Sequence, residues 1–205
     1  MLLAQGYLQE QRKKFYTARI LNLTYGSQSI REIRKRQVNA IFSQAESEVT
    51  VPLSPESYRF LGAALYWAEG TKKYGLEITN SDPLLIVFMV EWFSKMFGVP
   101  PQDMRAWLNI YPQQDDNDLK RFWSEVTGIP YSRFGKSFVK PISKGYKKNN
   151  LYYGTIKVRV PKSTDYKIKL LGWLRAALKG DQKQVKQLEE RWKRLRDVEK
   201  PINLQ

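Results

Sequence analysis

Residues 60–70 read FLGAALYWAEG, from Phe60 to Gly70. The stretch is apolar except at its tip, where Glu69 precedes Gly70, and it carries small residues at Gly62, Ala63, Ala64 and Ala68. Positions three and four apart share a helix face. Small side chains therefore line up where a second backbone can approach closely, and Glu69 stands at the end of the packed pair. Ser54 ahead of Pro55 predicts an N-cap and a first turn, and Gly70 predicts the stop. On these residues alone, a buried amphipathic helix that happens to end in Glu-Gly is an equal reading.

Outward from this helix the chain alternates between strand and helix signals. Leu76-Glu77-Ile78-Thr79 alternates as a strand, and Asn80-Ser81-Asp82-Pro83 caps an apolar helix that runs to about Phe97. Gly98 and Pro100-Pro101 end that helix. Arg105 to Tyr111 alternates again, with Ala106, Leu108 and Ile110 on one side. Asp115, Asp116 and Asp118 precede a helix closed by Gly128, and acids in that position offset the positive end of its dipole. Ser137 to Lys140 and Gly154 to Val160 read as strands. Lys162-Ser163-Thr164-Asp165 opens a helix to Leu178, and a charged helix follows from Gly180-Asp181. The expected organisation is α+β: a helical basic extension over 1–50, a main domain over 51–180, and a charged C-terminal helix over 181–205.

In the extension, Tyr25-Gly26-Ser27 predicts a break between two short helices, and Ser29 with Glu32 predicts a capped start. Its basic knot, Arg31, Arg34, Lys35 and Arg36, reads as a solvated charge run before it reads as a DNA-contacting arm. The final helix carries Leu188, Trp192 and Leu195 as a narrow apolar stripe, expected to dock on the core or on a partner chain.

Charge points to the partner. Lys and Arg number 35 against 20 Asp and Glu in 205 residues, a formal net charge of +15. Nucleic acid is the first expectation and an anionic membrane the second. The longest apolar run, Pro83 to Val90, is far short of the ~20 residues needed to span a bilayer, so no membrane is expected. Gln5, Gln9 and Glu10 interrupt the opening hydrophobic residues, so no secretory signal is expected and the protein is placed in the cytoplasm with the nucleoid. The chain has no Cys and no His. Disulfides, thiol nucleophiles, zinc sites and histidine-based triads are thereby excluded. Hydrolytic chemistry would rest on carboxylates, lysines, tyrosines and a hard metal held by oxygen.

No acidic residue lies between Glu125 and Asp165. That interval holds Arg133, Lys136, Lys140, Lys144, Lys147, Lys148, Lys157, Arg159 and Lys162, interleaved with Tyr131, Phe134, Phe138, Tyr146, Tyr152 and Tyr153. From Thr155 to Val160, Ile156, Val158 and Val160 point one way while Lys157 and Arg159 point the other. Such a sheet face can lie along a duplex groove, and the lysine-rich loop 143–150 can track phosphate. An alternative is a basic surface loop with no partner.

The helix at 60–70 resembles the signature helix of the LAGLIDADG homing-endonuclease family. Ala63 and Ala64 match its small-residue positions and Glu69-Gly70 its closing acid-glycine pair, while Trp67 stands where the family has an earlier aspartate. The resemblance runs from about Tyr58 to about Leu178. It is carried further by Glu69-Gly70 with Lys72, by Thr79-Asn80-Ser81-Asp82-Pro83, by Phe122-Trp123-Ser124 and by Thr127-Gly128-Ile129-Pro130, and it is nearest the bacterial branch. The resemblance implies an antiparallel β saddle on double-stranded DNA. It also implies a homodimer whose paired helices each bring Glu69 to a Mg²⁺ ion beside a scissile phosphate. Lys140 or Lys157 would be the strand-borne catalytic lysine, and Lys72 and Lys73 would contact phosphate. The family's usual order is helix, two strands, helix, two strands, helix; here a helix is expected between the first two strands. The family also includes transcription regulators that have lost cleavage, and Trp67 fits a packed helix of that kind. An RNA-binding protein that stacks bases on its tyrosines is a third reading. Leu171-Gly172 to Lys179-Gly180 repeats the spacing of Leu61-Gly62 to Glu69-Gly70 and is read as chance, which leaves one motif per chain.

Overall fold

Each helix end has a local chemical cause. In the computed structural model, which describes residues 29–73, 75–141 and 152–195, the helix α2 spans Pro55–Glu69 with the Ser54 side chain accepting from Ser57 N. The helix α3 spans Pro83–Phe97, capped by Asp82 through Leu84 N. The helix α4 spans Asp116–Thr127, capped by Asp115 through Asp118 N. Gly98 and Gly128 close α3 and α4 at φ 68° and 71°, the left-handed conformation that favours glycine. Gly70 differs. Its φ of −79° is open to any residue, but a Cβ there would stand 2.5 Å from the Tyr66 ring and from the Tyr66 carbonyl oxygen. Space, not backbone freedom, requires that glycine.

The chain divides into two compact units, Met1–Leu53 and Ser54–Gln205. In the first, residues 29–47 form the helix α1. Ser29 is already helical there, and the expected break at Tyr25-Gly26-Ser27 lies outside the described residues.

In the second unit, α2 leads into the strand β1 (Glu77–Asn80), α3 into β2 (Arg105–Ile110), and α4 into β3 (Phe138–Val139) and β4 (Thr155–Arg159). The helices α5 (Thr164–Ala177) and α6 (Lys179–Arg191) follow. The strands form one four-stranded sheet in the order β1-β4-β2-β3. Ile78 faces Val158, and Ala106 faces Val158 from the other side, both in antiparallel register. The expected helix between the first two strands is α3. The fold is α+β, but the sheet is mixed, because β3 pairs parallel to β2 through Asn109 with Phe138. The cause is the connection: α4 carries the chain back to the start of the sheet, so β3 enters in the direction of β2.

Helices cover one face of this sheet. Ile78, Ala106, Leu108, Ile156 and Val158 are fully buried with Ala63, Tyr66, Met89, Trp92 and Trp123 in one core. Trp92, Phe97, Tyr166 and Trp173 form the seam between α3 and α5, with Phe97 stacked on Tyr166 at 4.9 Å and on Trp173 at 5.7 Å. The opposite face carries Glu77, Thr79, Trp107, Asn109, Thr155, Lys157 and Arg159, all partly exposed, and Arg105, which is exposed.

Candidate functional site

The small residues of α2 divide between two faces. Gly62 and Ala63 turn inward, and a Cβ at 62 would stand 2.2 Å from Trp92 Nε1. Ala64 and Ala68 turn outward with Leu61 and Ser57. That outer face carries no charge, although Leu61 is 42% and Trp67 53% exposed.

Glu69 is exposed at the end of α2, where Asn80 Nδ2 donates to its Oε2 at 3.4 Å. Asn80 has little choice in this, because its Oδ1 already accepts from Ser81 N at 2.7 Å and Asp82 N at 2.9 Å. The end of β1 therefore presents an amide donor to the carboxylate. The sequence marks Asn80 as part of the segment that caps α3, and its donation to Glu69 depends on the loop geometry that brings β1 beside the end of α2.

The loop after Glu69 is tied down from several sides. Tyr66 donates its hydroxyl to Thr71 O at 2.9 Å, and burial pushes the phenol up from its ordinary value against the opposing backbone N–H of Glu77. Ser163 Oγ accepts from Leu76 N at 2.7 Å. Lys72 donates to the carbonyls of Tyr66 at 3.4 Å, Trp67 at 2.5 Å and Gly70 at 2.8 Å. Its ammonium caps the end of α2, where bare carbonyls concentrate negative charge. Burial lowers the Lys72 pKa and the Glu69 charge opposes that shift. Lys72 thus directs its donors at the carbonyls that end α2, and both it and Lys73 beside it are exposed.

On the open sheet face, register brings Glu77, Arg159 and Arg105 into one row and Thr79, Lys157 and Trp107 into the next. Arg159 Nε donates to Glu77 Oε2 at 2.6 Å, so the face contains one acid. Trp107 organises the cations: Lys157 Nζ lies 5.0 Å and Arg159 Cζ 5.2 Å from its ring. Gly135 lies against the indole, since a Cβ there would stand 2.2 Å from Trp107 Nε1. The alternation of β2, with Ala106 and Leu108 inward, was the signal for Trp107 on this face.

The other expected cations are dispersed. Lys140 Nζ sits 5.0 Å over the Tyr111 ring. Arg133 approaches Asp103 at 4.0 Å, and Lys136 is exposed. Lys144, Lys147 and Lys148, like Tyr146, lie outside the described residues. Among the described residues no hydrogen bond or ion pair joins Glu69 to Lys140 or Lys157. Aromatic residues of the interval are partly consumed internally: Tyr153 stacks on Phe122 at 4.2 Å, and Tyr131 donates to Asn117 Oδ1 at 2.8 Å. Phe138 and Tyr152 remain 60% and 72% exposed.

The acids before α4 do structural work. Asp115 caps the helix, and Asp116 accepts from Lys120 at 2.8 Å and from Ser137. Among the described residues no group of three or more carboxylates forms a metal site. Among the described residues, a Mg²⁺ ion held at Glu69 would need substrate phosphates, waters or a second carboxylate to complete its shell.

No protein-family model matches the chain, and no curated protein matches it. Among the described residues no helix is long and apolar enough to cross a membrane.

Proposed function

We propose that this chain is a double-stranded-DNA-binding protein of LAGLIDADG-like fold that works as a homodimer and hydrolyses phosphodiester bonds with Mg²⁺. The observation that carries the reading is the position of Glu69, at the exposed tip of a helix whose outer face, Ser57, Leu61, Ala64 and Ala68, is uncharged. Two such faces, packed together, bring two Glu69 carboxylates to the dimer axis. A bound Mg²⁺ would polarise the phosphoryl oxygen and lower the pKa of an attacking water. Glu69 of each copy would hold it, and Asn80 would orient that carboxylate. Arg105, Lys157 and Arg159, on the open sheet face, would meet the DNA backbone. Lys157, on β4, or Lys140, just after β3, is the proposed catalytic lysine, and Lys73 is an exposed loop cation next to Lys72. In this reading the protein belongs with the nucleoid.

The decisive experiment incubates genomic DNA recovered on the protein with Mg²⁺, for the natural chain and for Glu69→Gln. Cleavage by the former alone, with equal DNA affinity, is the expected result. Full cleavage by Glu69→Gln rejects the assignment.

A second reading, a DNA-binding regulator that does not cleave, is favoured by Trp67 at the family's aspartate position and by the lack, among the described residues, of a hydrogen bond or ion pair joining Glu69 to Lys140 or Lys157. Salt-sensitive binding without cleavage in either Mg²⁺ or Mn²⁺ selects it. Competition between duplex DNA and single-stranded RNA tests the RNA reading, for which Tyr131, Tyr152 and Tyr153 are exposed.

A further inference from the structure

The junction of α5 and α6 forms a concave groove of about 780 Å³. It lies on the side of α5 turned from the core, since Lys167, Leu170 and Leu174 are buried while Gly172, Arg175 and Ala176 are exposed. Arg175, Lys179, Lys183 and Lys186 line it, with no acid among the lining residues. Gly172 and Gly180 have nothing within 4 Å of an added Cβ, so their backbone is open to the groove.

We propose that this groove is a second contact surface for the phosphate backbone of a nucleic acid, separate from the open sheet face. The proposal rests on the DNA-binding reading and extends it. Lys179, Lys183 and Lys186 share one face of α6 at steps of four and three, with Arg175 across the junction on α5, and like charges so placed repel unless an anion offsets them. Along α6 those steps rise about 4.5–6 Å, so its three lysines form a short line suited to a linear polyanion. Nucleic acid supplies such a line, with anions evenly spaced along its backbone. A lipid surface fits less well. A membrane-surface helix carries its cations opposite an apolar stripe, as Lys179, Lys183 and Lys186 lie opposite Val185 and Leu188 here, but this groove takes its fourth cation, Arg175, from a second helix across the junction. The four cations and the groove they line, not α6 itself, are what the partner meets.

The test measures binding of the full chain to a short non-cognate DNA duplex by fluorescence anisotropy, between about 50 and 200 mM salt. Three proteins are compared: the natural chain, Lys179→Gln/Lys183→Gln/Lys186→Gln, and the sheet-face variant Arg105→Gln/Lys157→Gln. The groove variant is expected to lower the slope of log affinity against log salt by about 2 to 3, because each lost phosphate contact removes about 0.9. Replacing the same lysines by Arg is expected to restore it. All three lysines are exposed; should the triple variant fail to fold, Lys183→Gln alone is expected to lower the slope by about 1. A natural slope in the groove variant, with a reduced one in the sheet variant, overturns this proposal and leaves the sheet reading intact. Absence of salt-dependent duplex binding by the natural chain overturns both. Loss of binding to phosphatidylserine vesicles, with the duplex slope unchanged, overturns it in favour of a membrane.

Discussion

Gly62 on α2 lies directly against the indole of Trp92 on α3, close enough that a Cβ would stand 2.2 Å from Nε1. Trp92 in turn donates through Nε1 to Tyr58 O, one turn earlier on α2, at 2.9 Å. The absence of a side chain at 62 therefore sets the spacing of the two helices and keeps a buried indole hydrogen-bonded. Gly62→Ala is expected to lower stability by about 1–3 kcal/mol through overpacking, against the gain in helix propensity of about 1 kcal/mol that the same change gives at an open site. Urea unfolding followed by tryptophan fluorescence measures the balance, and a stabilised variant would contradict the packing described.

The outward half of the same helix carries a different expectation. Ala64→Arg and Ala68→Arg place charge on a face that the proposed dimer buries, without entering the monomer core. Sedimentation velocity is expected to show a dimer for the natural chain and a monomer for either variant. Identical sedimentation of all three removes the paired-helix arrangement.

Trp107 bears on binding through geometry rather than charge. Trp107→Ala keeps Lys157 and Arg159 but releases both from the ring, each contact being worth about 0.5–1 kcal/mol at exposed sites. Duplex affinity at low salt is expected to fall by roughly three- to tenfold, with the salt slope preserved because the charge count is unchanged. A change in slope without a change in low-salt affinity would reverse the argument.

Asp116 links α4 to the edge strand through Ser137. Burial pushes its carboxyl up, but hydrogen bonds from Lys120 and Ser137 and the Lys120 charge outweigh burial and hold it below the ordinary aspartate value. A depressed folded pKa contributes stability above the unfolded value, about 3.9, and loses it as pH falls through the folded one. The Asp116 side chain is 39% exposed, so solvent screening keeps the contribution below about 1 kcal/mol. Asp116→Asn is expected to be less stable than the natural chain at neutral pH, with the difference closing in acid. Urea midpoints measured across that range give the answer.

Capping and periodicity lie within a few adjacent residues, and those features were legible in the sequence. Ser54, Asp82 and Asp115 mark helix starts, Gly98 and Gly128 mark stops, and the alternation around Ile156 and Val158 assigns the buried face of β4. What depends on partners far along the chain was not legible. The division of Gly62 from Ala64 requires Trp92, thirty residues on. The engagement of Lys72 with carbonyls requires the loop geometry that Tyr66 and Ser163 impose. The parallel entry of β3 requires the path of α4. Of the two expected dockings for the C-terminal stripe, on the core or on a partner chain, the first is not made: Leu188, Trp192 and Leu195 are exposed, because α6 departs from the core at Leu178 and every α6 residue except Gln182 faces solvent.

The strand at the centre of the sheet is the last to be made. β1 and β2 do not pair with each other; each pairs with β4, which begins at Thr155. A ribosome that has passed Ile110 has released two strands with an empty slot between them, and long-range pairing of this kind is slow to close. A message truncated before Thr155 yields no smaller working sheet, only exposed edges for quality control to find.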